Sequence, residues 1–372
     1  MSAPALTVGI KKKLGAFALD VVFEGAAGVT VLFGPSGAGK SATLAAIAGV
    51  LAPDGGRITL GDDVLYDRAG RIVLKPEARR IGWVFQDARL FPHLSVEGNL
   101  RYGLARARGR PAPIAFDAVV GVLGLAALLR RRPRDLSGGE AQRVSIGQAL
   151  LSQPRLLLMD EPLSALDAAR KGEILAFIEQ VRDAFALPIV YVTHSLTETV
   201  RLADRLVVME AGRVVGEGTL SEVLARADLP LLAERTDAVA VVEGAVTDPD
   251  PARDLTLVRA GEGVWLCPPL NKPVGAPVRL VVLARDVILA VTEPQGLSAR
   301  NVLPGRIEHM TPRRDGSVLA RLDVGGRLIL SALTPDAVQA LALRPGLPVW
   351  AVVKSVAIEG TGRSGFSPLF DG

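Results

Sequence analysis

The stretch Gly34-Pro35-Ser36-Gly37-Ala38-Gly39-Lys40-Ser41 satisfies the pattern G-x-x-x-x-G-K-[ST]. Its chemistry is the cradling of phosphate. Glycines let successive backbone N–H groups curl around an anion, and a helix beginning there adds the positive end of its dipole. Lys40 is placed to reach the β- and γ-phosphates of a nucleotide, and the Ser41 hydroxyl to bind Mg²⁺. A second chemically able pair stands far downstream, where Asp160 and Glu161 close the apolar run Leu156-Leu157-Leu158-Met159. A carboxylate at Asp160 can hold the outer shell of a metal, and Glu161 can polarise a water against the γ-phosphate. Both readings depend on context, because a glycine-rich turn or two acids at a strand end can also be inert.

The flanking residues supply that context. "GVTVLFG" (28–34) reads as a buried strand running into the glycine-rich turn, and "KSATLAAIAGV" (40–50) as the helix that follows. "RLLLMDEP" (155–162) and "PIVYVTHS" (188–195) are apolar runs of the kind that buried parallel strands require. Acids ending such a strand stand at the lip of the sheet, where α/β proteins bind ligands. Strand-like and helical stretches alternate up to about residue 230, which predicts an α/β core. Beyond about residue 235, short β-like runs such as "VAVVEGAV", "LTLVRA" and "VRLVVLA" are separated by Gly, Pro and Asp, and predict small all-β barrels. One break falls near Leu232 and a weaker one near Pro294, giving segments 1–232, 233–293 and 294–372.

Composition narrows the function further. Apolar residues make up 49% of the chain and charged residues 22%, an ordinary globular balance. The single cysteine, Cys267, excludes an internal disulfide, and neither it nor His309 belongs to a metal-ligand cluster. The N-terminus lacks the apolar core of a secretion signal, and the apolar stretch Val119 to Leu129 is too short to span a bilayer. A membrane role must therefore be borrowed from a partner. The net charge of +4 does not indicate nucleic acid: Lys11 to Lys13 is the only lysine run, and 4% aromatic residues leave little for base stacking.

"LSGGEAQR" (136–143) resembles the signature of ATP-binding cassette (ABC) ATPases, and the other marks of that family follow in order. Gln86 matches the Q-loop glutamine, Ser164-Ala165-Leu166-Asp167 the D-loop and His194 the switch histidine. The resemblance covers roughly residues 5 to 230 and implies an α/β P-loop NTPase fold with a helical subdomain at about 87–150. It implies ATP and Mg²⁺ as ligands, with Lys40, Gln86, Glu161 and His194 catalytic and Ser41, Gln86 and Asp160 around the metal. It further implies a homodimer closing head-to-tail, in which Ser137-Gly138-Gly139 meets the γ-phosphate held by the other subunit. One departure concerns adenine, which the family stacks on an N-terminal aromatic. Here Leu14 stands near that place, and Phe17 is the nearest aromatic.

One compact cassette fits the arrangement that the resemblance implies for an importer subunit, two copies of which sit beneath membrane permease chains. "GWVFQDARLFPHLSVEGNLRYGL" (82–104) closely resembles the ATPase subunits of molybdate importers. By that resemblance Phe91 and Leu94 contact the permease, an external binding protein supplies substrate, and the chain works at the cytoplasmic face of the inner membrane. The alternative for Phe91 and Leu94 is local core. "SARNVLPGRIEHM" (298–310) and "AVVKSVAI" (351–358) resemble a molybdate-binding-protein-like (Mop/TOBE) domain, an all-β OB-like barrel. Ser298, Arg300, Asn301, Lys354 and Ser355 then offer the converging N–H and O–H donors that a dianion such as molybdate or tungstate requires. Related barrels also serve only as dimer contacts. Tungstate or sulfate import, and an oxyanion-sensing ATPase with no transport role, are the alternative functions.

Overall fold

Three runs of β-branched and leucine residues build the centre of the fold. They are β3 (Val29–Phe33), β8 (Leu156–Asp160) and β9 (Ile189–Thr193), and every residue in them but Asp160 is buried. The computed structural model describes residues 5–107, 113–226, 228–235, 237–250, 255–353 and 357–358. The chain divides into two compact units, Met1–Glu217 and Gly218–Gly372.

In the first unit the other strands are β1 (Leu6–Leu14), β2 (Phe17–Gly25), β4 (Gly55–Leu60), β5 (Asp63–Asp67), β6 (Ile72–Val73), β7 (Ile81–Val84), β10 (Arg205–Glu210) and β11 (Arg213–Thr219). They form one sheet in the order β6-β5-β4-β1-β2-β11-β10-β3-β9-β8-β7. The strands β10, β3, β9, β8 and β7 run parallel, whereas β1, β2, β4 and β5 pair antiparallel. The chemistry of the two regions differs accordingly. Parallel strands are covered on both faces and read as unbroken apolar runs, whereas β1 alternates, with Leu6, Val8 and Ile10 inward and Lys11 outward. Phe33 is level with Thr193, and Asp160 with Val192, so the ends of β3, β8 and β9 lie side by side at one edge.

The helices of this unit are α1 (Lys40–Ala48), α2 (Pro76–Arg79), α3 (Val96–Arg106), α4 (Phe116–Val122), α5 (Gly138–Leu151), α6 (Ala168–Phe185) and α7 (Leu196–Leu202). Helices α3 and α4 each pack against α5. Asn99, fully buried on α3, accepts the Phe91 N–H at 2.7 Å and donates to the Phe91 and Ser95 carbonyls, which fixes the loop before the helix. Phe91 lies against Tyr102, 4.4 Å between ring centres, so it is half core and half surface.

The second unit carries the short helices α8 (Leu220–Leu224), α9 (Pro230–Ala233) and α10 (Pro335–Ala340). Its strands are β12 (Val239–Asp250), β13 (Leu255–Ala260), β14 (Gly263–Cys267), β15 (Pro277–Leu283), β16 (Val287–Ala290), β17 (Asn301–Pro312), β18 (Val318–Val324), β19 (Arg327–Leu333), β20 (Pro348–Val353) and β21 (Ala357–Ile358). They make two antiparallel five-stranded sheets, β14-β13-β12-β15-β21 and β16-β20-β17-β18-β19. This packing differs from the expected segments. The boundary between compact units is at Glu217/Gly218 rather than near Leu232, because α8 and α9 pack with the β-rich part. Nor does Pro294 divide two bodies: β16 precedes it but joins the second sheet, β21 follows it but joins the first, and one core around Trp265, Ile307 and Leu322 serves both. Among the described residues no helix is long and apolar enough to cross a membrane.

Candidate functional site

Because β3, β8 and β9 end level with one another, the loops that follow them meet. After β3 the chain must turn sharply beneath β10, and Gly34 is the residue that permits it: a Cβ there would lie 2.2 Å from the Met209 carbonyl oxygen. Gly39 then opens α1 at φ 98°, a left-handed conformation that other residues resist. Residues 35–37 are exposed, Ala38 is buried and Ser41 is exposed, so the turn presents backbone to solvent while its base is packed. Phe17, the first residue of β2, packs beside Gly39: a Cβ there would sit 3.2 Å from its ring.

The charged groups converge on this turn. Lys40 is only 4% exposed, and its Nζ donates to the carbonyls of Gly34 at 2.7 Å and Pro35 at 2.9 Å. Burial pulls its pKa down, opposed by the charges of Glu161 and Asp160. Ser41 Oγ donates to Asp160 Oδ1 at 2.9 Å, and burial pushes the Asp160 carboxyl up against that bond. Glu161 stands between two partners: its Oε1 is 3.7 Å from Lys40 Nζ, and its Oε2 is 3.2 Å from His194 Nδ1. The Glu161 backbone holds φ 43°, rare for a residue with a side chain, while its N–H bonds the Val192 carbonyl at 3.0 Å. Asp160 and Ser41 thus bring hard oxygens together next to a cation-flanked carboxylate, a donor set that suits Mg²⁺ held mainly by phosphate.

The remaining motif residues gather elsewhere. Gln86, two residues past β7, lines a cleft of about 230 Å³ with Gly138, Gln142, Ala165 and Leu166, and none of residues 34–41 lines it. Ser137 caps α5 in a reciprocal box: its Oγ accepts the Glu140 N–H and Glu140 Oε2 accepts the Ser137 N–H at 2.7 Å. Two residues that the sequence reading passed over brace the site. Gln142 donates to the Phe85 carbonyl at 3.3 Å, joining α5 to the residue before Gln86. Buried Arg79 donates to the Ala46 and Ile47 carbonyls at 2.8 and 2.7 Å and so caps the far end of α1. Gln142 lies within the quoted signature, so its type and place were visible; nothing local marks Arg79.

Of the proposed oxyanion residues, three are described, Ser298, Arg300 and Asn301. Ser298 and Arg300 are exposed just before β17. Asn301 is buried, and its amide is already committed: Oδ1 accepts the Leu266 N–H at 2.7 Å and Nδ2 donates to the Leu266 carbonyl at 3.0 Å. It stitches β17 to β14. Lys354 and Ser355 lie outside the described residues.

Comparison with known proteins agrees with this geometry. A family described as ABC transporter matches residues 24–164, and the TOBE domain family matches residues 297–359. The molybdenum import ATP-binding protein ModC of Rhizobium meliloti (strain 1021) is 48% identical over 95% of this chain and 99% of its own length. That of Rhodospirillum rubrum is 44% identical over 95% of this chain and 97% of its own. The chain belongs to the ModC family. Among solved structures, cbiO1 from Clostridium perfringens, part of an ABC transporter complex, superposes with a TM-score of 0.53. It is 27% identical, covering 62% of this chain and 94% of its own. A nucleotide-free ATP-binding cassette from an ABC transporter gives 0.51 at 25% identity, over 60% of this chain and 96% of its own. A ModC-family chain with this edge binds ATP, and the expected ABC ATPase fold followed by an all-β TOBE region is the one found.

Proposed function

We propose that this chain is the ATP-hydrolysing subunit of a molybdate importer, working as a homodimer beneath two permease chains at the cytoplasmic face of the inner membrane. The observation that carries the reading is the meeting of residues 34–41, Asp160, Glu161 and His194 at one sheet edge, in a chain related along nearly its whole length to molybdenum import ATP-binding proteins. The backbone N–H groups of residues 36–41 bind the β- and γ-phosphates, and Lys40 leaves its carbonyl partners to pair with them. Mg²⁺ bound with the nucleotide would neutralise phosphoryl charge; Ser41 and Asp160 are the residues that would hold it, and Gln86 would join them only by turning from the cleft of the signature helix that it lines. Glu161 takes the proton of a water attacking the γ-phosphorus as the bond to ADP breaks, and His194 keeps its carboxylate aimed. Gly138 of the signature lines a cleft that none of residues 34–41 lines, which supports the need for a second copy to complete the nucleotide site.

For the tail, Ser298 and Arg300 are the residues we assign to oxyanion contact, with Lys354 and Ser355 as further donors and Asn301 as their brace. The test of the main reading uses the chain assembled with its permease in vesicles. Molybdate uptake should depend on ATP, and Glu161→Gln should keep ATP binding while turnover falls by on the order of a hundred-fold or more. Undiminished hydrolysis in that variant would remove Glu161 as the base, and ATP-independent uptake would remove the transport role.

A further inference from the structure

His194 is 59% exposed on its side chain, so packing does not hold its ring. Its aim at Glu161 must therefore come from the backbone of residues 193–195. That backbone is tied to one buried carboxylate. Glu198, on α7 and only 4% exposed, accepts hydrogen bonds at Oε2 from the Thr193 hydroxyl at 2.7 Å and the Tyr191 hydroxyl at 2.8 Å. Thr193 Oγ1 in turn accepts the Ser195 N–H at 3.0 Å, which links the residues on either side of His194 to the same group. The ring of bonds closes through α7. Ser195 Oγ accepts the Glu198 N–H at 3.4 Å, and the Ser195 carbonyl accepts the Thr199 hydroxyl at 2.8 Å.

A carboxylate in such a place is costly, since burial penalises its charged form. Burial pushes the Glu198 carboxyl upward against its two hydroxyl donors. An apolar residue would pack there at lower cost, but it could accept neither hydroxyl. The bonds fix the strand end at Thr193 and the first turn of α7, and His194 is the residue between them.

We propose that Glu198 is a positioning residue for ATP hydrolysis: through Thr193 it sets the backbone on both sides of His194, so that Nδ1 meets Glu161 at 3.2 Å. This rests on the hydrolytic role proposed above for Glu161 and His194. Glu198 touches neither nucleotide nor water in this scheme; it acts only through the histidine.

The experiment is a double-mutant cycle in the full chain assembled with its permease, reading kcat and KM for ATP. Thr193→Val keeps the side chain's shape and removes the hydroxyl link. Thr193→Val and Glu198→Ala should each lower kcat by on the order of ten-fold, with KM within about two-fold. Glu198→Gln, which keeps an acceptor oxygen, should recover most of the loss that Glu198→Ala causes. In a His194→Ala background, adding Thr193→Val should change kcat less than about two-fold, because the positioned group is gone. Wild-type kcat in Thr193→Val, or losses that multiply in the His194→Ala background, would overturn the proposal. If Glu198→Ala fails to fold, Thr193→Val and its cycle decide the matter alone. Wild-type kcat in His194→Ala by itself would instead overturn the hydrolytic role of the histidine.

Discussion

At the scale of single residues, the site is built from groups held away from their usual state. Lys40 is buried among carbonyls, Asp160 sits with its carboxyl pushed up by burial, and Glu161 occupies a left-handed backbone. Glu140 shows the opposite case. The Ser137 N–H, its largest influence, holds its carboxyl below the usual range, with Arg131 and Arg143 assisting. A depressed folded-state pKa means that the stability it contributes is present above the ordinary glutamate value, about 4.3, and is lost as pH falls through the folded one. Thermal melts of Glu140→Gln, which keeps a neutral capping acceptor, should therefore lose less stability than the parent below about pH 4.3. Parallel acid curves for the two proteins would show that the cap's charge is immaterial. Lys40, Ser41 and Glu161 could be singled out in the sequence, because phosphate chemistry asks for such types at such places. The commitment of Asn301 to Leu266 could not, since its partner is 35 residues away along the chain.

Elements explain how such groups are held. Helix α1 is pinned at both ends: Gly39 and the β3 turn set its start, and Arg79 from α2 caps its last carbonyls. The Arg79 guanidinium is buried, and burial lowers its pKa, so its stabilising effect depends on those carbonyl bonds. Arg79→Ala leaves buried acceptors unpaired and should cost about 3 kcal/mol, read as a lower urea midpoint with little change in slope. An unchanged midpoint would mean that α1 needs no such cap. The strands β3, β8 and β9 could be read from their apolar runs because burial on both faces leaves no alternation to misread. Arg79, by contrast, sits in "KPEARR", which looks like an exposed helix turn. Only the fold shows that α1 ends against it.

For the molecule as a whole, each of the two units has a buried core of its own, and the division of labour follows from that. The signature turn at Ser137 is exposed, and the nucleotide edge lies elsewhere in the same unit, so a large cation at Ser137 should block closure of the dimer alone. Ser137→Arg is expected to retain ATP binding to residues 34–41 while losing both ATP-induced dimerisation and turnover; dimers of normal ATP dependence would contradict the shared site. In the second unit, calorimetric titration of the full chain with molybdate should give heat that Arg300→Ala abolishes, because a guanidinium is the strongest oxyanion donor at that place. Molybdate binding unchanged in Arg300→Ala would move the pocket elsewhere. Equal absence of heat in both proteins would leave the TOBE region as a structural element.

By itself the sequence determined the chemistry and the order of its parts. The nucleotide turn, the acids that end β8, the histidine after β9 and the β-rich tail are all consequences of local pattern. The tertiary structure decided which of those parts meet. It brought His194 to Glu161, sent Gln86 to the cleft of the signature helix, locked Asn301 onto β14, and gathered buried residues from Ala233 to Val353 into one core across Pro294. The physical reason is that residue type and period are local quantities, whereas strand register, helix ends and hydrogen-bond partners depend on segments distant in the chain.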